Sequence, residues 1–329
     1  MHFSNRINPG QVTVLALLAS LCVFLPFDCP AADAPDAGRL LQDTNKAPEL
    51  RPRRTIPEIK SPATQPVEEL SNIPAIEVTQ FNITGNTIIS LAELELLLQE
   101  HVNKKLSFKQ LEQAAYLITE LYKKNGYITS YAYLPRQDVN NGIIRIDVIE
   151  GKVAQGGIKY KYEENIRLDM SVAQRVLGAS IQEGAPLRKG GLERGLILLN
   201  EIPGINAKST IVPGATASTS DLLIEVKEGS LFTGALEADN FGNRYSGQAR
   251  GTASLNINNP SGRGDLLGVK LITAGDGMNY VRPFYTIPVN SYGTKLGASW
   301  NLMVYSLGKE LEASNLEGRA ETISGYLNR

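Results

Sequence analysis

The chain has 329 residues, with 33 Lys and Arg against 34 Asp and Glu. That length suffices for two or three domains, and so even a charge balance makes no whole-chain electrostatic case for nucleic acid or for an anionic membrane surface. Cys22, Cys29 and His2 all lie in the first 32 residues, where Arg6 precedes an apolar run from Val12 to Phe27 and a small-residue exit at Ala31 and Ala32. This is the layout of a secretory signal peptide, expected over residues 1–32.

Once that segment is removed, the mature chain carries no thiol and a single histidine, His101. Disulfide scaffolds, cysteine nucleophiles and Cys/His zinc sites therefore fall away, and one histidine is left for any catalytic triad. His101 sits at the end of an amphipathic helix and is assigned a solvated or capping role. No phosphate-binding glycine loop is present, and no cofactor or metal is expected.

Residues 33–43, which contain PDAGRLLQD, predict a short helix. Residues 44–73 hold Pro48, Pro52, Pro57, Pro62 and Pro66 with Arg51, Arg53 and Arg54. Proline at that density disfavours a packed helix or a central strand and predicts an extended tether, able to span on the order of 90 Å.

Globular signals begin at Pro74. Residues 76–83 predict a strand, closed by a turn at Gly85-Asn86. Ser90 to Glu93 is a capping box opening a helix with Leu91, Leu94, Leu97 and Leu98 on one side. Ser107 to Gln110 is a second box, opening a longer helix with an apolar stripe of Leu111, Ala114, Ala115, Ile118, Leu121 and Tyr122, and ended by Gly126. Strands at 127–134 and 143–149 complete a β-α-α-β-β order. A slide of 78 residues then lays Gly126 on Gly204, Pro135 on Pro213 and Glu150-Gly151 on Glu228-Gly229, which predicts a second copy of the module. Gly190, Gly191 and Gly195 in the second copy's long helix predict that it is the less stable one.

From Ser230 onward helical periodicity stops. Strands are predicted at 231–240, 246–257, 265–274, 279–287 and 294–305, with a frayed candidate from Leu311. In 247–257 the residues Ala249, Gly251, Ala253, Leu255 and Ile257 hold one parity, and Gln248, Arg250, Thr252, Ser254 and Asn256 the other. Segments of about ten residues with this alternation match a transmembrane β-barrel wall whose polar face is wet. A soluble β-sandwich is the competing reading.

The order leader, short helix, proline-rich tether, paired modules and amphipathic wall resembles the TpsB transporters of two-partner secretion. These are the haemolysin-activator and filamentous-haemagglutinin-transporter family of the Omp85 superfamily. The resemblance is carried by PDAGRLLQD (35–43), FNITGNT (81–87), GYITSYAYLPRQDVNNGIIRIDVIEGKV (126–153), LERGLILLNEIPGI (192–205), IVPGATASTSDLLIEVKEG (211–229), DNFGNRYSGQARG (239–251) and NPSGRGD (259–265). The fold class it implies is α+β plus all-β: two tandem POTRA domains, 74–151 and 152–229, followed by the first five or six strands of an antiparallel outer-membrane β-barrel, 230–329. It further implies a plug helix at 33–43 and a linker at 44–73.

The resemblance implies that POTRA domains in the periplasm capture an unfolded exported polypeptide by adding it to an exposed sheet edge and pass it to the pore. The edges expected are 127–134 and 206–212, with Tyr127, Tyr131, Tyr133, Leu134, Asn206, Ser209 and Ile211 as the binding residues. Gln248, Arg250, Thr252, Ser254 and Asn256 are expected to line the pore. The implied partners are a secreted TpsA-like exoprotein, outer-membrane lipid and the barrel-assembly machinery during insertion. The family's later strands and its VRGY-type loop motif are not found before Arg329, so the chain is expected to be a truncated form or a fragment with an incomplete barrel. Two alternatives remain open: a barrel-assembly or periplasmic docking scaffold, and a secreted β-sandwich hydrolase.

Overall fold

The computed structural model describes Gly38, Leu40, residues 59–60, 75–216 and 218–329. The expected leader, most of the expected short helix and most of the tether lie outside the described residues. Within the tether, β1 (Ile59–Lys60) is a strand.

The first module contains β2 (Ile76–Val78), β3 (Gln80–Thr84), α1 (Leu91–Leu98), β4 (Lys104–Leu106), α2 (Phe108–Lys124), β5 (Tyr131–Tyr133) and β6 (Ile143–Ile149). The expected strand 76–83 is two strands in different sheets, because Thr79 turns aside to donate its amide to Gly142 O at 2.8 Å. β3 runs parallel to β6, and β5 runs antiparallel to β6 on its far side. The Ser107–Gln110 capping box falls where expected, with Ser107 N donating to Gln110 Oε1 at 2.8 Å, whereas at α1 only the forward half is made, Glu93 N donating to Ser90 Oγ at 3.4 Å. The α2 stripe of Leu111, Ala114, Ala115, Ile118 and Tyr122 is buried against Phe81, Ile83, Ile144 and Ile146. Fully burying each of the larger side chains contributes about 1.5–3 kcal/mol. Leu91 departs from expectation: it is exposed, and Leu94 and Leu98 anchor α1 instead.

Glu150 is the buried polar centre of this module. It accepts the amides of Thr87 at 2.6 Å and Ile88 at 2.7 Å, the Tyr122 hydroxyl at 2.8 Å, and the Thr87 hydroxyl. Burial alone would raise its carboxyl pKa, but these four donors hold it below the usual carboxylate value. The Tyr122 hydroxyl is pushed up, first by burial and then by Glu150. A depressed carboxyl contributes stability that is present above its unfolded pKa, about 4.3, and is lost as pH falls through the lower folded value. The module's urea midpoint is therefore expected to drop as pH falls below about 4.3, and Glu150→Gln to flatten that drop while lowering stability at pH 7. Equal acid slopes in the two proteins would refute the assignment.

The second module contains β7 (Lys152–Tyr162), α3 (Met170–Gly178), α4 (Lys189–Asn200), β8 (Ile205–Pro213) and β9 (Thr219–Glu228). Its sheet order is β1-β8-β9-β7. Leu177, Leu192, Leu196 and Leu199 are fully buried against Leu222, Ile224 and Val226. Gly191 in α4 has a packing purpose that helix propensity does not reveal, since a Cβ there would lie 2.5 Å from the Ser180 carbonyl oxygen. It lets α4 approach the end of α3.

The remaining strands form one antiparallel six-stranded meander. They are β10 (Phe232–Asp239), β11 (Arg250–Asn258), β12 (Leu266–Thr273), β13 (Met278–Pro288), β14 (Lys295–Ser306) and β15 (Glu317–Asn328). The five expected strands are present, and the frayed candidate from Leu311 begins only at Glu317, after a 3₁₀ turn over Lys309–Ser314. The meander's large apolar parity is bare: Leu236 is 87 % exposed and Ile323 82 %, and Leu255, Leu271, Leu296 and Val304 lie on the same face. The opposite face carries Thr252, Ser254, Asn256, Lys270, Arg282 and Asn301 and is the more covered one. Among the described residues no second sheet covers the apolar face, so the sandwich reading fails. At about 3.3 Å per residue, tilted strands of eight to twelve residues match the hydrocarbon thickness.

Candidate functional site

An extended polypeptide can bind a sheet only where main-chain groups are unfilled. In the first module β5 is an edge, as expected, but only three residues long. Ala132 N donates to Thr119 Oγ1 at 2.9 Å, so the amide that turns away from β6 is already satisfied by the helix. Tyr131 and Tyr133 share one exposed face with ring centroids 6.2 Å apart. Leu134 lies outside the strand, partly buried against the module core. Tyr127 also lies outside it. It bridges to Arg188 of the second module, whose guanidinium sits 5.5 Å from its ring centroid. The expected strand 127–134 is thus shortened, because Gly126 takes a positive φ of 87° and the next residues are used in the junction between modules.

In the second module β8 has nine residues, and among the described residues Ser209 and Thr210 face another strand on the outer side. That strand is β1, running parallel, with Ile59 opposite Ser209 and Lys60 opposite Thr210. Asn206 is exposed, as a contact residue should be. Ser209 and Ile211 are 1 % and 3 % exposed and belong to the core parity, which corrects their expected role as contact side chains. The alternation of β8 explains this: Ile205, Ala207, Ser209 and Ile211 point inward, and Asn206, Lys208, Thr210 and Val212 point away.

On the wall, Thr252, Ser254 and Asn256 share the polar face with Arg250. Arg250 is buried, with Nε donating to Asp239 Oδ1 across the β10–β11 pair at 2.9 Å. Gln248 precedes β11 and is exposed in the loop, which corrects its placement on the strand. The alternation in sequence extends past the point where pairing starts, so the strand end was not legible. Lys270 and Arg282, opposite one another on β12 and β13, extend the polar face, as sequence parity would have shown. Leu40, a helical residue, is 1 % exposed and packs against Ile272, Met278, Tyr280 and Met303 on that same face.

Strand-and-helix modules followed by an antiparallel wall with one bare apolar face and one polar face resemble the start of an outer-membrane β-barrel protein. Residues 76–151 match the POTRA domain, ShlB-type, and residues 218–329 match the haemolysin secretion/activation protein family ShlB/FhaC/HecB. Over these two stretches the chain is similar to that family, the TpsB transporters. It is 26 % identical over 323 residues to the heme/hemopexin transporter protein HuxB of Haemophilus influenzae strain 86-028NP, covering 96 % of this chain and 56 % of that protein. It is 28 % identical over 270 residues to the outer membrane transporter CdiB of Escherichia coli O6:K15:H31, covering 80 % of this chain and 45 % of CdiB. The solved structure of CdiB from Escherichia coli superposes with a TM-score of 0.59 at 20 % identity, covering 97 % of this chain and 54 % of CdiB, and so shares the fold. The chain spans about half the length of the curated relatives it matches.

Proposed function

We propose that this chain belongs to an outer-membrane translocator that exports a large secreted TpsA-like polypeptide, with both modules acting as POTRA domains in the periplasm. The observation that carries the reading is the inverted wall, with bare leucine and isoleucine on one face and Thr252, Ser254, Asn256, Lys270 and Arg282 on the other. Such a face is stable only against lipid, and the polar parity then lines a watery passage.

Cargo adds to the outer edge of β8, because β8 is three times as long as β5 and, among the described residues, pairs on that edge with the two residues of β1. Asn206, Lys208 and Thr210 have the parity that meets side chains flanking the incoming strand. Tyr131 and Tyr133 offer an aromatic surface beside the first module's edge, a secondary contact for an extended chain. The burial of Leu40 on the polar face supports a helix at 33–43 that plugs the passage, and β1 then lies on the tether that joins the plug to the second module. Deletion of the gene is expected to abolish release of the co-encoded exoprotein while leaving assembly of other outer-membrane barrels unchanged. Normal exoprotein release, or a general loss of barrels, would refute export as the role.

A further inference from the structure

The repeat exposes a contact that neither module explains alone. The slide of 78 residues lays Glu150 on Glu228 and Tyr122 on Asn200. In each module the glutamate at the end of the last strand accepts two consecutive amides that precede the first helix: Thr87 and Ile88 for Glu150, and Arg167 at 2.5 Å and Leu168 at 3.1 Å for Glu228. The first module completes this socket with its own Tyr122 hydroxyl. The second cannot, because Asn200 is committed elsewhere: its Nδ2 donates to Ala207 O at 3.1 Å and its Oδ1 accepts Ala207 N at 2.6 Å.

The donor that fills the vacant place comes from the wall. Asn259, in the β11–β12 turn, donates Nδ2 to Glu228 Oε1 at 2.9 Å, beside Arg167 Nη2 at 2.9 Å. Both partners are dry, with Asn259 0 % exposed and the Glu228 side chain 3 % exposed. The turn is built to present that amide. Asn259 takes a positive φ of 54°, its Oδ1 accepts Gly264 N at 2.7 Å, and its N donates to Asp265 O at 2.7 Å. Two further bonds flank the socket: Asp169 N donates to Gly262 O at 2.8 Å, and Asn258 Nδ2 donates to Ser230 O at 3.0 Å. A buried carboxylate that loses one of its charge-assisted donors is less well compensated, so this contact resists separation.

We infer that Glu228 and Asn259 form a lock that fixes the second module against the β11–β12 turn, and so sets where β8 stands relative to the wall. The inference rests on the geometry alone. Failure of the cargo reading would appear in exoprotein release and leave the lock untouched.

The test is the distance distribution between nitroxide labels at Glu164 and Asp276, exposed positions on the second module and at the far end of the wall, in the full-length protein in lipid. A single narrow distribution is expected for the parent. Asn259→Gly keeps the positive φ accessible, removes the amide, and is expected to broaden the distribution at least twofold. Tyr122→Phe, which removes the equivalent donor from the first socket, is expected to leave the width unchanged. Asn259→Asp keeps the side-chain volume and the acceptor for Gly264 N, removes only the donor to Glu228, and is expected to broaden the distribution as well. Should Asn259→Gly also weaken amide protection in β9, Asn259→Asp decides: a broadened width supports the lock and the parent's width overturns it. An unchanged width in Asn259→Gly, or equal broadening in Tyr122→Phe, also overturns it.

Discussion

Joining Lys60→Cys to Thr210→Cys by a disulfide is expected to cut exoprotein release at least tenfold under oxidising conditions, with recovery on reduction. The two positions are direct partners in the β1–β8 pair. Neighbouring strands lie about 4.8 Å apart, inside the Cα separation that a disulfide tolerates. Thr210 has the parity away from the core, so the change leaves the packed positions Ser209 and Ile211 in place. A two-residue ladder makes only a few hydrogen bonds, each worth about 1 kcal/mol net, so an incoming strand that pairs along all nine residues of β8 displaces it. A covalent bond removes that option. Release measured in the medium with and without reductant checks this, and equal release in both would show that cargo does not enter at β8.

Leu40→Asp is expected to raise the ion conductance of the assembled pore several-fold in planar bilayers. Leu40 is the apolar anchor of a cluster formed by Ile272, Met278, Tyr280 and Met303. Placing a carboxylate there without a partner costs several kcal/mol, or the cost is avoided by leaving the seat. Leu40→Met conserves volume and polarity and is expected to behave as the parent. Identical conductance in all three proteins would mean that the 33–43 segment does not obstruct the passage.

The candidate site was legible in parts, and the parts divide by the range of the interactions. Thr252, Ser254 and Asn256 could be assigned to the polar face because strand periodicity is local. Ser209 and Ile211 share their parity with Ile205 and Ala207, against Asn206, Lys208 and Thr210, so local alternation already marked them as core-facing, and their burial follows it. The truncation of 127–134 to Tyr131–Tyr133 follows from a contact with Arg188 sixty residues away in sequence. Thr119, which fills the β5 edge, carries no mark in the sequence that separates it from any other helical threonine.

The sequence by itself determined the modular plan: the duplicated β-α-α-β-β order, the N-caps of the first module's two helices, the glycines after each long helix, and five alternating strands with a frayed sixth, whose apolar parity could meet either lipid or a second sheet. Each of these rests on spacings within one element or on self-similarity, and so survives in one dimension. Only the tertiary structure decided that Ile59–Lys60 sits on β8, that Leu40 is buried on the polar face, and that Glu228 takes its last donor from the wall. Those are meetings of residues from distant parts of the chain, selected by unfilled hydrogen bonds and uncovered apolar surface that exist only once the elements have packed.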